Sequence, residues 1–341
     1  MFNIQKNAEF ELLSTIASNM KKRSEDQEDI YYIELQSIPS NTRPSIHAPP
    51  PEKTNYHKYR KYCLIILCLL ILGVLYNRLK STSAYQLTNW MSKLDAATSI
   101  DRISIPGSHN TAALFGPPKH VNQNLTLDQQ LNFGIRYLDI RCRHIEDRFD
   151  IHHGSTYQNL TFDQVLSTIK DFLRRNPSEV LIMRLKPEFE TVNCTRDFSD
   201  TFFTRYWDPS LFYEGTDIPT LKDARGKIYL LKNFEGGKAI GTSWEKITST
   251  LQDDYKVYSL ESKKESIEDF YQRATHRPAD EIAIYINHIS GSGDAGFATE
   301  VSQEMNKIVL TFTNKLCGVI AMDFVNESLS KHLISLNFAS K

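Results

Sequence analysis

Along residues 162–175 the apolar side chains fall at Phe162, Val165, Leu166, Ile169, Phe172 and Leu173, a spacing that predicts one buried face of a helix. Thr161 and Gln164 supply a capping box at its start. Thr126 and Gln129 repeat that device before Leu131, and Gly134 closes the shorter helix. Between such segments lie short apolar runs, at Arg102–Ile105, Tyr137–Arg141, Phe149–His152, Val180–Leu185, Lys227–Leu231, Ile282–Ile286 and Gly318–Asp323. Most are continuous rather than alternating, as expected of parallel strands covered on both faces. Strand and helix alternating through residues 84–341 predict an α/β fold, an irregular (β/α) TIM-type barrel. The long stretch 232–281 shows no clear pattern, so the barrel is expected to depart from eightfold regularity.

The first quarter of the chain follows different patterns. Residues 1–57 carry no sustained apolar period and include "KKRSEDQED" and "SIPSNTRPSIHAPPPEK". That composition predicts a disordered tail. "YCLIILCLLILGVLY" at 62–76 is uncharged and lacks the polar stripe of a buried core helix. With Tyr59, Lys61, Tyr76 and Arg78 at its ends, the segment 58–80 reads as a single transmembrane anchor, although the apolar run is short. Lys53, Lys58, Arg60 and Lys61 before it outweigh Arg78 and Lys80 after it, which places the tail in the cytoplasm and the barrel outside or in a lumen.

Composition narrows the chemistry. The net charge of −1 gives no electrostatic footprint for nucleic acid. Five cysteines with no CxxC spacing argue against a zinc site or a disulfide framework.

A parallel barrel builds its active site from the C-terminal ends of its strands. Those ends carry His109 and Asn110, then Asp139, Arg141 and Arg143, then His152 and His153, then Lys186 and Glu188, and finally Asp323. Asp139 and Arg141 are two apart and share a face, whereas alternation alone leaves open which of His152 and His153 points inward. Two imidazoles can divide the proton transfers of phosphodiester cleavage, and an arginine can bind the phosphate. A rim of unrelated polar groups would look the same at this stage.

Seven blocks, "SIPGSHNT", "FGIRYLDIRCR", "DIHHGS", "FLRRNPSEVLIMRLKPEFE", "ARGKIYLLKNF", "QDDYKV" and "VIAMDFVNE", resemble in order and spacing the bacterial-type phosphatidylinositol-specific phospholipases C. The resemblance runs from about Asn89 to about Ser335 and implies an irregular TIM barrel. It implies His109 as general base on the inositol 2-hydroxyl, Asp323 as the carboxylate that orients it, and His153 as general acid. Arg141 would neutralise the phosphate, with Asp139 and position 110 in support. Lys186, Asp253 and Tyr255 would contact the inositol ring. The implied reaction needs no metal or other cofactor. It acts on a membrane phosphoinositide and releases diacylglycerol and inositol 1,2-cyclic phosphate. A monomer is expected.

Two positions depart from the family pattern. Asn110 stands where bacterial members usually carry Asp, and Asn233 stands where a basic residue is usual. Two further readings therefore stay open: a catalytically weakened relative that binds inositol lipids or glycans, and a glycerophosphodiester phosphodiesterase, whose chemistry normally wants carboxylates around a metal.

Overall fold

The computed structural model describes residues 66–67 and 87–338. The chain divides into two units, 1–71 and 72–341. Within the first, Ile66 and Leu67 are helical and exposed. The rest of the expected tail and anchor lies outside the described residues. Among the described residues no helix is long and apolar enough to cross a membrane.

The second unit is built on one sheet of ten strands. They are β1 (Ser104–Ser108), β2 (Tyr137–Ile145), β3 (Arg148–His153), β4 (Thr156–Thr161) and β5 (Leu181–Pro187). β6 (Ile228–Lys232), β7 (Thr242–Ser243), β8 (Leu251–Gln252), β9 (Ile286–His288) and β10 (Gly318–Met322) complete it. The spatial order is β7-β6-β5-β2-β1-β10-β9-β8, with every neighbouring pair parallel. β7 and β8 end this order without pairing, so the sheet forms an open TIM-like α/β barrel; the 3₁₀ segment Trp244–Thr250 joins those two strands.

Side-chain parity sorts the strand residues into two cores. Ile105, Tyr137, Ile182, Tyr229, Leu231, Ile286, Val319 and Ala321 pack together inside the barrel. Their neighbours Leu138, Ile140, Met183, Leu185, Leu230, Ile320 and Met322 pack outward with the helices. Those helices include α1 (Leu127–Asn132), α2 (Phe162–Arg175), α3 (Leu260–Thr275), α4 (Ala298–Val309) and α5 (Glu327–Ser335). Both expected capping boxes form, at Thr126/Gln129 and Thr161/Gln164. Inside the barrel β1 and β2 approach so closely that a Cβ on Gly107 would lie 2.7 Å from the Tyr137 ring, which leaves room only for glycine.

Three expectations need correction. The run at Phe149–His152 is no barrel strand. It belongs to β3, which pairs antiparallel with β2 and with β4 as a ribbon beyond the barrel. The irregular stretch 232–281 holds β7, β8 and the sixteen-residue helix α3, whose buried Ile267, Phe270, Tyr271 and Ala274 are diluted by nine charged or serine side chains from Glu261 to Arg273. The strand expected at Ile282–Ile286 lies at Ile286–His288, carried two residues onward by the polar Asn287 and His288.

Candidate active site

β1 and β10 run in register, Ser108 beside Met322, so the residues that follow each strand meet at the barrel mouth. His109 and Asp323 are those residues, and the His109 Nδ1 to Asp323 Oδ1 distance is 2.8 Å. Asp323 also accepts from Asn122 Nδ2 at 2.9 Å, while Asn122 Oδ1 accepts from Asn110 Nδ2 at 3.0 Å. Two residues here adopt left-handed backbone: Asn110 at φ 42° and Phe324 at φ 48°. Asparagine tolerates that region better than most side chains. At Asn110 the turn lets the backbone N–H donate to Asp139 Oδ2 at 3.2 Å.

On β2, Asp139 and Arg141 both face inward, as their parity required. Arg141 donates to Asp139 Oδ2 through Nη2 at 2.9 Å and through Nε at 3.2 Å. Arg141 Nη2 also lies 2.9 Å from His109 Nε2. Burial works against a charged Asp139, but Arg141, Arg184 and His109 together hold its carboxyl well below the usual range. Burial likewise disfavours the Arg141 cation, and Asp139 and Glu188 more than restore it.

The β3–β4 ribbon brings His153 to the same cleft. His152 points the other way, is buried and packs its ring 5.6 Å from that of Tyr157. Gly154, at φ 56°, turns the chain directly after His153, and its N–H donates to Glu188 Oε1 at 3.0 Å. Glu188 accepts from Lys186 Nζ at 3.0 Å with its other oxygen, so it ties the ribbon's turn to the end of β5. Burial, aided by the charge of Arg141, pushes the His153 imidazole down to about 4 although the His120 backbone opposes this. His153 is therefore neutral in the free site at neutral pH.

A cleft of about 370 Å³ opens over these groups, lined among others by His109, Asn110, Arg141, His153 and Asp323. Lys186, Asp253 and Tyr255 line it too, so the structure brings together every expected ring contact. Asp139 lies beneath, 1% exposed. Among the described residues, the one trio of His, Cys, Asp or Glu whose ligand atoms could share a metal ion is His144, Asp147 and Cys194, on the β2–β3 hairpin and the facing loop rather than in the cleft.

Sequence reasoning missed Arg184, His288 and Asn122. Arg184 faces inward on β5 and approaches Asp139 Oδ1 at 3.6 Å. Its Nε and Nη2 donate to Asn233 Oδ1 at 2.9 and 2.8 Å, so Asn233 serves as the acceptor for a neighbouring guanidinium. His288, at the end of β9, is fully buried with its ring edge-on to His109, centroids 5.5 Å apart. Burial drives its imidazole down to about 3.

A parallel α/β barrel that gathers two histidines, an arginine and carboxylates in one cleft beyond its strand ends belongs to the class of TIM-like barrels that carry their chemistry at the C-terminal mouth. Residues 99–233 match the family model described as phosphatidylinositol-specific phospholipase C, X domain. The chain is 32% identical to the 1-phosphatidylinositol phosphodiesterase of Listeria monocytogenes over 82% of its own length and 99% of that protein. The enzyme of the same name from Staphylococcus aureus strain Newman is 28% identical over 69% of this chain and 88% of its own. The solved structure of the Listeria phosphatidylinositol-specific phospholipase C superposes with a TM-score of 0.64 at 30% identity, covering 74% of this chain and 98% of that one. The chain belongs to the phosphatidylinositol-specific phospholipase C family, and it is an enzyme of the phospholipase C type.

Proposed function

We propose that the chain cleaves phosphatidylinositol, or a glycosylated form of it, to diacylglycerol and inositol 1,2-cyclic phosphate. The observation that carries this reading is the placement of His109 between Asp323 and Arg141, at 2.8 and 2.9 Å. Asp323 accepts the Nδ1 proton and leaves the Nε2 lone pair facing the cleft. That lone pair is capped by Arg141 Nη2 in the free site. A substrate phosphate offers the guanidinium two oxygens in place of one nitrogen, so its arrival draws Arg141 off and uncovers the base.

The steps then balance. His109 Nε2 takes the proton of the inositol 2-hydroxyl, and that oxygen attacks phosphorus. Arg141 stabilises the charge that develops on the phosphoryl oxygens. The bond from phosphorus to the glycerol oxygen breaks, and His153 gives that oxygen a proton. His153 starts neutral, and the bound phosphate monoanion beside it favours its protonation. Lys186, Asp253 and Tyr255 hold the ring by donor, acceptor and stacking contacts. The apolar run at 62–76, acting as an anchor, would keep the cleft near lipid and raise its effective concentration.

Incubation with phosphatidylinositol vesicles, followed by ³¹P NMR, tests the reading. The cyclic phosphate resonance is the expected product. Binding of inositol lipid without turnover would favour the weakened relative, and release of glycerol phosphate would favour the glycerophosphodiesterase.

A further inference from the structure

Asp139 is a buried carboxylate with two cationic partners, one on each oxygen. Oδ2 holds Arg141 at 2.9 Å, and Oδ1 faces Arg184 Nη1 at 3.6 Å. The two arginines are not equivalent. Arg184 is fixed: Asn233 Oδ1 takes two of its N–H groups, and its guanidinium lies 3.8 Å from the centre of the Trp244 ring. Both guanidiniums line the cleft, but Arg184 is 6% exposed and anchored, whereas Arg141 reaches across to His109 Nε2. Asp139 and Arg184 are also direct register partners across β2 and β5, so the contact is built into the sheet.

We propose that Arg184 is a positioning residue that frees Arg141 to move to the phosphate. The inference rests on the reading of the cleft given above. A buried carboxylate stripped of its only cation is strongly destabilised. If Arg141 were the sole partner of Asp139, engaging substrate phosphate would leave such a carboxylate behind. With Arg184 held in place by Asn233 and Trp244, Asp139 stays compensated while Arg141 turns away. Arg184 thus acts through Asp139 on Arg141 and leaves the ring hydroxyls to Lys186 and Asp253.

The test compares two soluble ligands by calorimetry, myo-inositol and inositol 1,2-cyclic phosphate, alongside kcat on phosphatidylinositol vesicles. Arg184→Met should bind myo-inositol within about twofold of wild type, bind the cyclic phosphate at least tenfold more weakly, and lose kcat. Arg184→Lys, which keeps a charge without the Asn233 fork, should fall between. Should Arg184→Met fail to fold, Asn233→Ala loosens the same guanidinium and should show the same selective loss to a smaller degree. Equal weakening of both ligands would make Arg184 a ring contact and overturn the proposal, and so would unchanged binding of both. A wild type that neither cleaves the lipid nor binds the cyclic phosphate would overturn the functional reading and this inference with it. A wild type that does both, with the variants unimpaired, would overturn Arg184 alone.

Discussion

Nδ1 of His109 lies 2.8 Å from Oδ1 of Asp323, and the two residues follow directly on parallel strands that run in register. The pair therefore fixes which ring nitrogen carries the proton. Asp323→Asn should leave the barrel folded and the lipid affinity little changed, because the amide keeps the shape. It should cost about 10²–10⁴ in kcat, since an amide can donate to Nδ1 and turn the reactive nitrogen into the wrong tautomer. Steady-state kinetics on mixed micelles, with kcat and KM resolved, checks this. A change confined to KM would remove Asp323 from the base.

The role of His153 has a separate signature. A general acid matters in proportion to how badly the leaving group needs a proton. His153→Ala should lose about 10²–10⁴ in rate on the lipid, whose leaving alkoxide is strongly basic. On an inositol phosphodiester with a nitrophenolate leaving group, the same variant should approach wild-type rates. His109→Ala should be slow on both. If His152→Ala shows the leaving-group dependence instead, the geometry of the ribbon has been misassigned.

Most of this site could be read from alternation and strand ends, because both follow from the pleat. Asp139 and Arg141 sit two apart and share the cleft. The same rule, carried back two residues from Lys186, also points Arg184 inward, but its place within the apolar run "LIMRL" rather than after it hides it among core residues. His288 was missed for a related reason. The run Ile282–Ile286 looks like the strand, but the hydrogen-bonded segment begins where that run ends. Asn122 lies in a loop, where nothing in the local pattern marks it, and its bridge from Asn110 to Asp323 spans 201 residues of sequence on one side. Which of two adjacent histidines faces the cleft depends on β3 pairing as an antiparallel ribbon, and that pairing is set by tertiary contacts.

His288 also makes a prediction about stability. Its imidazole is held down to about 3 chiefly by burial, with Asp253 opposing and His109 and Arg184 reinforcing the shift. An unfolded histidine takes a proton near 6.5. The folded-state value lies below the unfolded one, so the unfolded chain binds the proton first as pH falls. The contribution is complete above about pH 6.5 and is lost as pH drops towards 3, at ~1.4 kcal/mol per pH unit. His153, held down to about 4, adds in the same direction. The melting temperature should fall steadily from pH 7 to pH 4. His288→Asn should be less stable at pH 7 yet show a shallower decline; parallel curves for the two proteins would contradict the assignment.

The anchor at 58–80 is tested by fractionation. The full chain should remain with membranes through a carbonate wash, and a chain beginning near Ser83 should not. Protease added outside sealed cells should remove the barrel and spare the tail. Release of the full chain by carbonate would leave the apolar run without this role.

The last prediction concerns cations. Phosphodiester cleavage needs positive charge at the phosphoryl oxygens, and either a metal ion or a guanidinium can supply it. At this barrel mouth the position belongs to Arg141, which sits 2.9 Å from the base and 2.9 Å from Asp139. The carboxylates at the mouth each face protein groups: Asp139 two arginines, Glu188 Lys186 and the Gly154 N–H, Asp253 the His288 ring, and Asp323, through Oδ1, His109 and Asn122. Calcium asks for six to eight oxygens, and Asn110 offers one neutral amide oxygen. Excess chelator should therefore leave turnover on phosphatidylinositol unchanged. Arg141→Ala should lose about 10²–10³ in kcat or more, and added calcium or magnesium should not restore it. Activity that disappears in chelator and returns with calcium would show that a metal, and not Arg141, carries the charge.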